Sequence, residues 1–257
     1  MRVTVLGSGA SYPGARHACA GHFVEAAGAR VLLDCGNGVL SNLACIADPA
    51  ALDAVFITHN HPDHYADVFA LHAALRYAPE GPTGPVPLYA PPGLPQRMKG
   101  LLSARGAESF DAAFVSMPLQ AGVPVMLGDL SVTPVEVEHT TPTFALVVQG
   151  DGARLVYTAD TAPCGGIQAA ASGADLLLAE ATLPEAYTGA APHMTATQAG
   201  ELARAAGVRA LALVHIWPTN DREAMARLAS QAFGGGTVVV ADEFDVFDIT
   251  PDARKDD

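Results

Sequence analysis

Thr58-His59-Asn60-His61-Pro62-Asp63-His64 is the stretch on which the fold turns. Three histidines and one aspartate fall between positions 59 and 64. The run before them, Asp53 to Thr58 (DAVFIT), has the apolar content of a buried strand. The residues after them, Tyr65 to Tyr77, carry a helical rhythm through Leu71 and Leu75. A loop pinned between a strand end and a helix start keeps its side chains on one side. Imidazole nitrogens and carboxylate oxygens suit Zn2+ and other borderline divalent ions. His59 and His61 can face one ion; Asp63 and His64, half a turn on, can reach a second. A polar loop that merely caps the next helix does not need four ligand-type side chains at this density.

Working outward, other apolar strands deliver the same kind of residue at their carboxyl ends. His139 follows Ser131 to Val137, Asp160 follows Leu155 to Tyr157, and His215 follows Leu211 to Val214. Each alone is ordinary in a turn; together they repeat one geometry. A carboxylate such as Asp160 can bridge two ions, with a hydroxide bridging them on the other side. Ions about 3.5–4 Å apart clamp an attacking and a leaving oxygen. A bound water whose pKa falls to about 7 supplies hydroxide at neutral pH. No cofactor-binding fingerprint occurs, so the chemistry reads as hydrolysis and not redox.

The rest of the chain predicts two sheets with helices outside. Arg2 to Leu6 reads as a strand, and His22–Ala26 with Arg30–Asp34 as a hairpin. A short helix is expected over Gly38–Ile46, a strand over Pro87–Ala90 and a helix from about Pro95 to Ala104. Residues 110–137 read as strands broken by turns, and Phe144–Val148 with Arg154–Tyr157 as a hairpin. Asp175–Ala179, Ala210–Val214 and Gly236–Ala241 read as strands. Thr195 with Gln198 predicts a capping box for a helix ending at Gly207, and Asn220 with Glu223 another for a helix to Phe233. No long linker appears, so residues 1–250 are expected to form one domain, with 251–257 a flexible tail.

Composition narrows the partners. The 257 residues carry 14 Lys plus Arg against 27 Asp plus Glu, a net charge of -13. The lysines are Lys99 and Lys255, and no basic run occurs. Affinity for long nucleic acid leans on many cationic contacts, so that class is disfavoured. A small anionic substrate fits if metal supplies the local positive charge. Cys19, Cys35, Cys45 and Cys164 do not make a disulfide scaffold in a chain this long. Neither a signal-peptide core nor a long apolar span is read, so no membrane partner and a cytoplasmic location are expected.

THNHPDH resembles the T-H-x-H-x-D-H signature of the metallo-β-lactamase superfamily. That resemblance implies an α/β four-layer fold, an αββα sandwich, with a dinuclear site at one edge of the sheets. It implies that His59, His61 and His139 hold one metal, Asp63, His64 and His215 the other, with Asp160 bridging. Two divalent ions are implied, Zn2+ first, with Mn2+ or Fe2+ served by the same donors. Asp63 would be both a ligand and the base or orienter of the nucleophile.

Within the superfamily the chain is similar to the ribonuclease Z-like phosphodiesterase branch. Leu6–Arg16 (LGSGASYPGAR), Glu180-Ala181-Thr182 and His193-Met194-Thr195 carry that likeness. It implies that Glu180 orients His193 and that His193 is the general acid; it also makes a homodimer plausible. A carboxylate on one ring nitrogen does raise the proton affinity of an imidazole and leaves the other nitrogen for substrate.

Two departures shape the expected substrate. Only positions 140–159, 20 residues, separate His139 from Asp160, which holds a hairpin and not the protruding tRNA-binding arm of that branch. The residues after His215 are Ile216-Trp217-Pro218-Thr219, unlike the tRNA enzymes. With the acidic charge, these favour a small phosphodiester such as a cyclic nucleotide over tRNA 3′ processing. A thioesterase or lactonase is the second enzyme class. A non-catalytic binding protein would be expected to have lost a ligand. His17 reads as a surface residue, His72 as a helix residue, Trp217 as pocket wall or core, and 77–93 as a variable rim.

Overall fold

Side-chain alternation builds the architecture. In the segment Leu176–Glu180, Leu176 and Leu178 enter one apolar cluster while Leu177 and Ala179 enter another. A strand buried on both faces needs a layer on each side. The computed structural model describes residues 1–79 and 81–250, and the tail expected at 251–257 lies outside the described residues.

The first half of the chain runs β1 (Arg2–Gly7), β2 (Gly21–Ala26), β3 (Ala29–Leu33), α1 (Val39–Leu43), β4 (Ala54–Phe56) and α2 (Val68–Tyr77). It continues through β5 (Val86–Ala90), α3 (Leu94–Gly100), α4 (Ala104–Ala113) and β6 (Phe114–Pro118). The second half runs β7 (Val125–Leu127), β8 (Leu130–Val137), β9 (Thr143–Gly150), β10 (Ala153–Tyr157), α5 (Gly165–Ala171) and β11 (Leu176–Glu180). It ends with α6 (Ala196–Ala206), β12 (Ala210–Val214), α7 (Arg222–Phe233), β13 (Thr237–Val240) and β14 (Val246–Asp248).

One sheet has the order β14-β1-β2-β3-β4-β5-β6 and the other β13-β12-β11-β10-β9-β8-β7. A shared core joins them, with Val3, Val31 and Phe56 from the first meeting Leu130, Leu146 and Leu178 from the second. Helices α5, α6 and α7 cover the outer face of the second sheet, and α1 to α4 that of the first. The result is the αββα sandwich.

Strand direction places the site. β3 and β4 are parallel, and β1 lies two antiparallel steps from β3. β10, β11 and β12 are parallel, and β8 lies two antiparallel steps from β10. Within each sheet these strands therefore point their carboxyl ends the same way, where ligand sites of such sheets form. At the far edge the β2–β3 turn meets the β9–β10 turn, with Ala27 N–H donating to Asp151 at 3.0 Å.

Several expectations need correction. Residues 110–113 are helical, because α4 begins at its Ser103 cap and buries Phe110 and Ala113. Helix α5 and strand β14 were not anticipated. The cap of α7 is Asp221, which accepts from Ala224 N–H, while Asn220 donates to Thr182 O. Residues 81–85 enter β5 from the edge opposite His59, since β5 is parallel to β4; among the described residues of the expected rim, 91–93 follow the carboxyl end of β5, on the side of the site. The Thr195–Gln198 capping box forms in full, and Gly207 closes α6 in a left-handed conformation. The cysteines are free thiols. Among the described residues no helix is long and apolar enough to cross a membrane.

Candidate metal centre

The seven residues expected to act together do meet. His59, His61, His139 and Asp160 bring ligand-type atoms within 4.8 Å of one another, as do Asp63, His64 and His215. His59 Nε2 lies 3.0 Å from His61 Nδ1, and His139 Nε2 lies 3.2 Å from the same atom. In the second group His64 Nε2 and His215 Nε2 are 3.2 Å apart, and Asp63 Oδ2 is 3.2 Å from His215 Nε2. Donors about 2.0–2.1 Å from a tetrahedral ion stand about 3.3 Å apart. The spacing in both groups is that of donors around a common point.

Outer partners decide which nitrogens carry protons. Pro192 O accepts from His139 Nδ1 at 3.1 Å, leaving His139 Nε2 as a lone pair facing inward. Asp34 Oδ2 lies 2.7 Å from His64 Nδ1, which turns His64 Nε2 inward; burial works against a charge on this ring, but Asp160 and Asp34 outweigh it and raise its pKa, so a bound ion would take the place of its Nε2 proton. Thr58 Oγ1 donates to Asp34 Oδ2 at 2.9 Å, so it accepts from His59 Nδ1 at 3.1 Å, and His59 Nε2 also points inward as a lone pair. The inward lone pairs of His59 and His139 face each other and the Asp160 carboxylate, an arrangement that a cation between them relieves.

Asp160 supplies the other test. It is buried, and its Oδ1 has no hydrogen-bond partner among the described residues. That oxygen stands 3.4 Å from His64 Nε2, while Oδ2 stands 3.6 Å from His59 Nε2 and 3.8 Å from His139 Nε2. One carboxylate thus faces both groups, and the donor set fits divalent metal. Burial would raise the Asp160 pKa, but His215, His64 and His59 outweigh it and hold the group well below the carboxylate range. For Asp63 burial is likewise overcome, by the His215 bond and the charge of His64. Burial pushes His59, His61 and His139 down, so they favour the neutral form that binds metal.

Glu180 and His193 sit against this centre. Glu180 Oε1 lies 2.8 Å from His193 Nδ1 and accepts from Thr161 N–H at 2.8 Å. The His193 ring is 4.9 Å from that of His139 and 5.8 Å from that of His215, centre to centre. Burial works against a charge on His193, but the hydrogen bond and charge of Glu180 win, and its pKa is raised from 6.5.

Two further residues, given no site role by the sequence reading, support the centre. Asp34 is fully buried and receives Thr58 N–H, Thr58 Oγ1, Tyr157 OH and the His64 ring. It closes the apolar strand Val31-Leu32-Leu33, the same strand-end signal that marked the others. Thr182 Oγ1 lies 2.8 Å from both Glu180 Oε2 and His215 Nδ1, joining the Glu180–His193 pair to a metal-type histidine. Its place in the Glu180-Ala181-Thr182 segment was the available signal. Asp34, Ala159 and His215 all have left-handed backbones (φ 58°, 52° and 53°). That conformation costs a non-glycine residue about 1–2 kcal/mol and bends the chain sharply at each strand end.

The remaining histidines lie outside the cluster. His17 pairs with Glu243 and Asp242 at the surface, and His72 packs on α2 against Phe110. His22 is buried edge-on to Tyr157, where burial lowers its pKa to about 3. Trp217 is half-buried, its indole N–H 3.5 Å from Ser11 Oγ.

Comparison with known proteins agrees with this geometry. The profile described as the beta-lactamase superfamily domain matches residues 29–216. An uncharacterized protein of Mycobacterium tuberculosis is 35% identical over 249 residues, 95% of this chain and 91% of that protein. A protein named ribonuclease Z from Mycolicibacterium gilvum is 31% identical, covering 85% of each chain. The crystal structure of the metallo-β-lactamase fold protein YhfI from Bacillus subtilis superposes with a TM-score of 0.85 at 26% identity. It covers 96% of this chain and 98% of that one.

Proposed function

The chain belongs to the β-lactamase superfamily, and from that membership we propose that it is a metal-dependent phosphodiesterase for small phosphodiesters, cyclic nucleotides among them. The carrying observation is Asp160 lodged between two histidine groups with the Glu180–His193 pair beside them. In this reading His59, His61 and His139 hold one ion, Asp63, His64 and His215 another, and Asp160 both. The ions, Zn2+ first and Mn2+ or Fe2+ as substitutes, would polarise a phosphoryl oxygen and activate water at neutral pH.

The protein's own groups do the rest. Pro192 O and Asp34 fix two of the imidazoles in the ligating tautomer. Asp63, held by Ser11 N–H at 2.7 Å, serves as a ligand and as orienter of, or base toward, the attacking water. Glu180 keeps the proton on His193 Nδ1 and leaves Nε2 to pass a proton to the leaving oxygen. The raised pKa keeps His193 charged as an acid closer to neutrality. A small anionic substrate is the partner this site fits. We take 1–250 as one domain because both sheets share a core, and expect a homodimer from the resemblance and a cytoplasmic location from the sequence reading.

The relative named ribonuclease Z favours a second reading, tRNA 3′ processing. Against it, the interval 140–159 is occupied by β9, a tight turn and β10, and the chain carries a net charge of -13. A thioesterase or lactonase would share the ligands but has no evident use for Glu180 with His193. A non-catalytic protein would have no use for the full set.

Metal analysis with a substrate panel tests the proposal: bis(p-nitrophenyl) phosphate, cyclic nucleotides, a lactone, a thioester and a β-lactam. The diesters should turn over, with about two ions per chain. His193→Ala should lower kcat about 10²–10⁴-fold with metal content intact. Wild-type kcat in that variant, or turnover of the thioester or lactone alone, would overturn the reading.

A further inference from the structure

The glycine-rich segment after β1 touches the metal centre at one end and a remote carboxylate at the other. Its neck is closed by Gly9 N–H to Ala18 O at 2.9 Å. On the inner side Ser11 N–H donates to Asp63 Oδ2 at 2.7 Å. On the outer side Ala18 N–H donates to Glu243 Oε1 at 3.0 Å, and His17 Nδ1 lies 2.7 Å from Glu243 Oε2.

Glu243 stands in the loop between β13 and β14, far from Asp63 in sequence. Its side chain is 8% exposed, against 52% for neighbouring Asp242, which lies 3.3 Å from His17 Nδ1. A carboxylate buried to that degree must be satisfied at both oxygens, and the segment satisfies both. Ser11 and Arg16 adopt left-handed backbones (φ 58° and 68°), so local preference does not hold the segment in this shape. Tertiary contacts must: Ala10 N–H donates to Ile216 O at 3.1 Å beside Ser11, and Glu243 holds the Ala18 end.

We propose that Glu243 is a positioning residue for the metal centre. By gripping Ala18 and His17 it seats the 9–18 segment so that Ser11 N–H stays on Asp63. The inference rests on the reading of Asp63 as a metal ligand and adds a remote residue to it. Loss of an outer partner of a metal ligand weakens metal binding about 10–100-fold, and the same scale applies here.

The test is amide hydrogen exchange on the metal-free full-length chain, alongside zinc retention against a competing chelator. In Glu243→Ala, Ser11 and Ala18 amides should exchange about tenfold faster or more. One zinc per chain should be released at about tenfold lower chelator concentration. Glu243→Gln keeps an acceptor for Ala18 N–H and should restore most of the protection. His17→Ala removes one of the two grips and should fall between, which covers failure of the alanine variant to fold. Unchanged Ser11 exchange would overturn the proposal, even with a lower Tm, because Glu243 would then only staple two surface turns. Faster exchange with unchanged zinc retention would overturn it too. Wild-type protein that retains no zinc would instead sink the metal-centre reading on which this one stands.

Discussion

In the proposed mechanism the proton on His193 links the sequence to the chemistry. Glu180, Thr161 and Thr182 hold each other in a buried net, and the carboxylate raises the imidazole pKa above 6.5. A raised value has a fixed sign. The charged pair stabilises the fold fully below the ordinary imidazole value, and that contribution is lost as pH climbs through the raised one. An acid must also be protonated to act, so kcat should fall over the same alkaline interval. Glu180→Gln should move that alkaline limb to lower pH in a kcat–pH profile while bound metal stays constant; an unmoved limb would remove His193 from the acid's role. The residues that mark this site were legible because strand ends deliver them. Asp34 carries the same strand-end signal, but it closes a hairpin and no histidine adjoins it, so it does not stand out in the sequence. Thr182 gave no signal of its own, since a hydroxyl acquires meaning only from what it touches.

Among the elements, the turn after β3 shows how tightly backbone supports the ligand loop. Cys35 N–H donates to His64 O at 2.8 Å, and Gly36 lies directly under the carbonyl oxygen of Asp63. A β-carbon at Gly36 would collide with that oxygen and approach Cys19 Cβ to 2.8 Å. Neither neighbour is the free end of a flexible side chain. Gly36→Ala should destabilise the fold by about 1–3 kcal/mol, read by thermal melting, and should release metal from the Asp63 side. Wild-type melting and metal content would show that the loop can shift. Elements with a clear local signal could be read in advance: β9 and β11 from their bulky apolar runs, and α6 from its Thr195–Gln198 capping box and Gly207, stand where expected. Helix α4 could not, because Phe110 and Ala113 are its buried contacts and the rest is small or charged. Helix α5, Gly-Gly-Ile-Gln-Ala-Ala-Ala, offers still less pattern. The α7 cap shifted by one residue because Asn220 is engaged by Thr182 O and Asp221 is left to cap.

For the molecule as a whole, the candidate metal centre joins the two sheets: His59, His61, Asp63 and His64 come from the loop after β4, and His139, Asp160 and His215 from the ends of β8, β10 and β12. Without cations the inward lone pairs of His59 and His139 oppose the Asp160 carboxylate across the seam. Binding should therefore stabilise the entire fold. At a free ion concentration of 100 times Kd the gain is about 2.7 kcal/mol. For a chain of this size that is about 5–11 °C in Tm. Chelation should lower Tm by that order and added zinc should restore it; a melting curve indifferent to both would argue against a metal centre. Two sheets with helices outside were legible from the order of strands and helices, and the αββα sandwich from the resemblance carried by residues 58–64. The pairing of β14 with β1 was not, because register between distant segments is a tertiary choice with no local pattern.

The contact between Ala27 and Asp151 marks the edge remote from all of this. Turns at 27–28, 151–152, 172–175 and 207–209 join elements there and carry none of the ligating residues. The sandwich thus divides its labour: one rim is occupied by chemistry, and the opposite rim is open to grafting. A fluorophore, a tag or a whole guest module spliced into that opposite rim could be carried without disturbing a single imidazole.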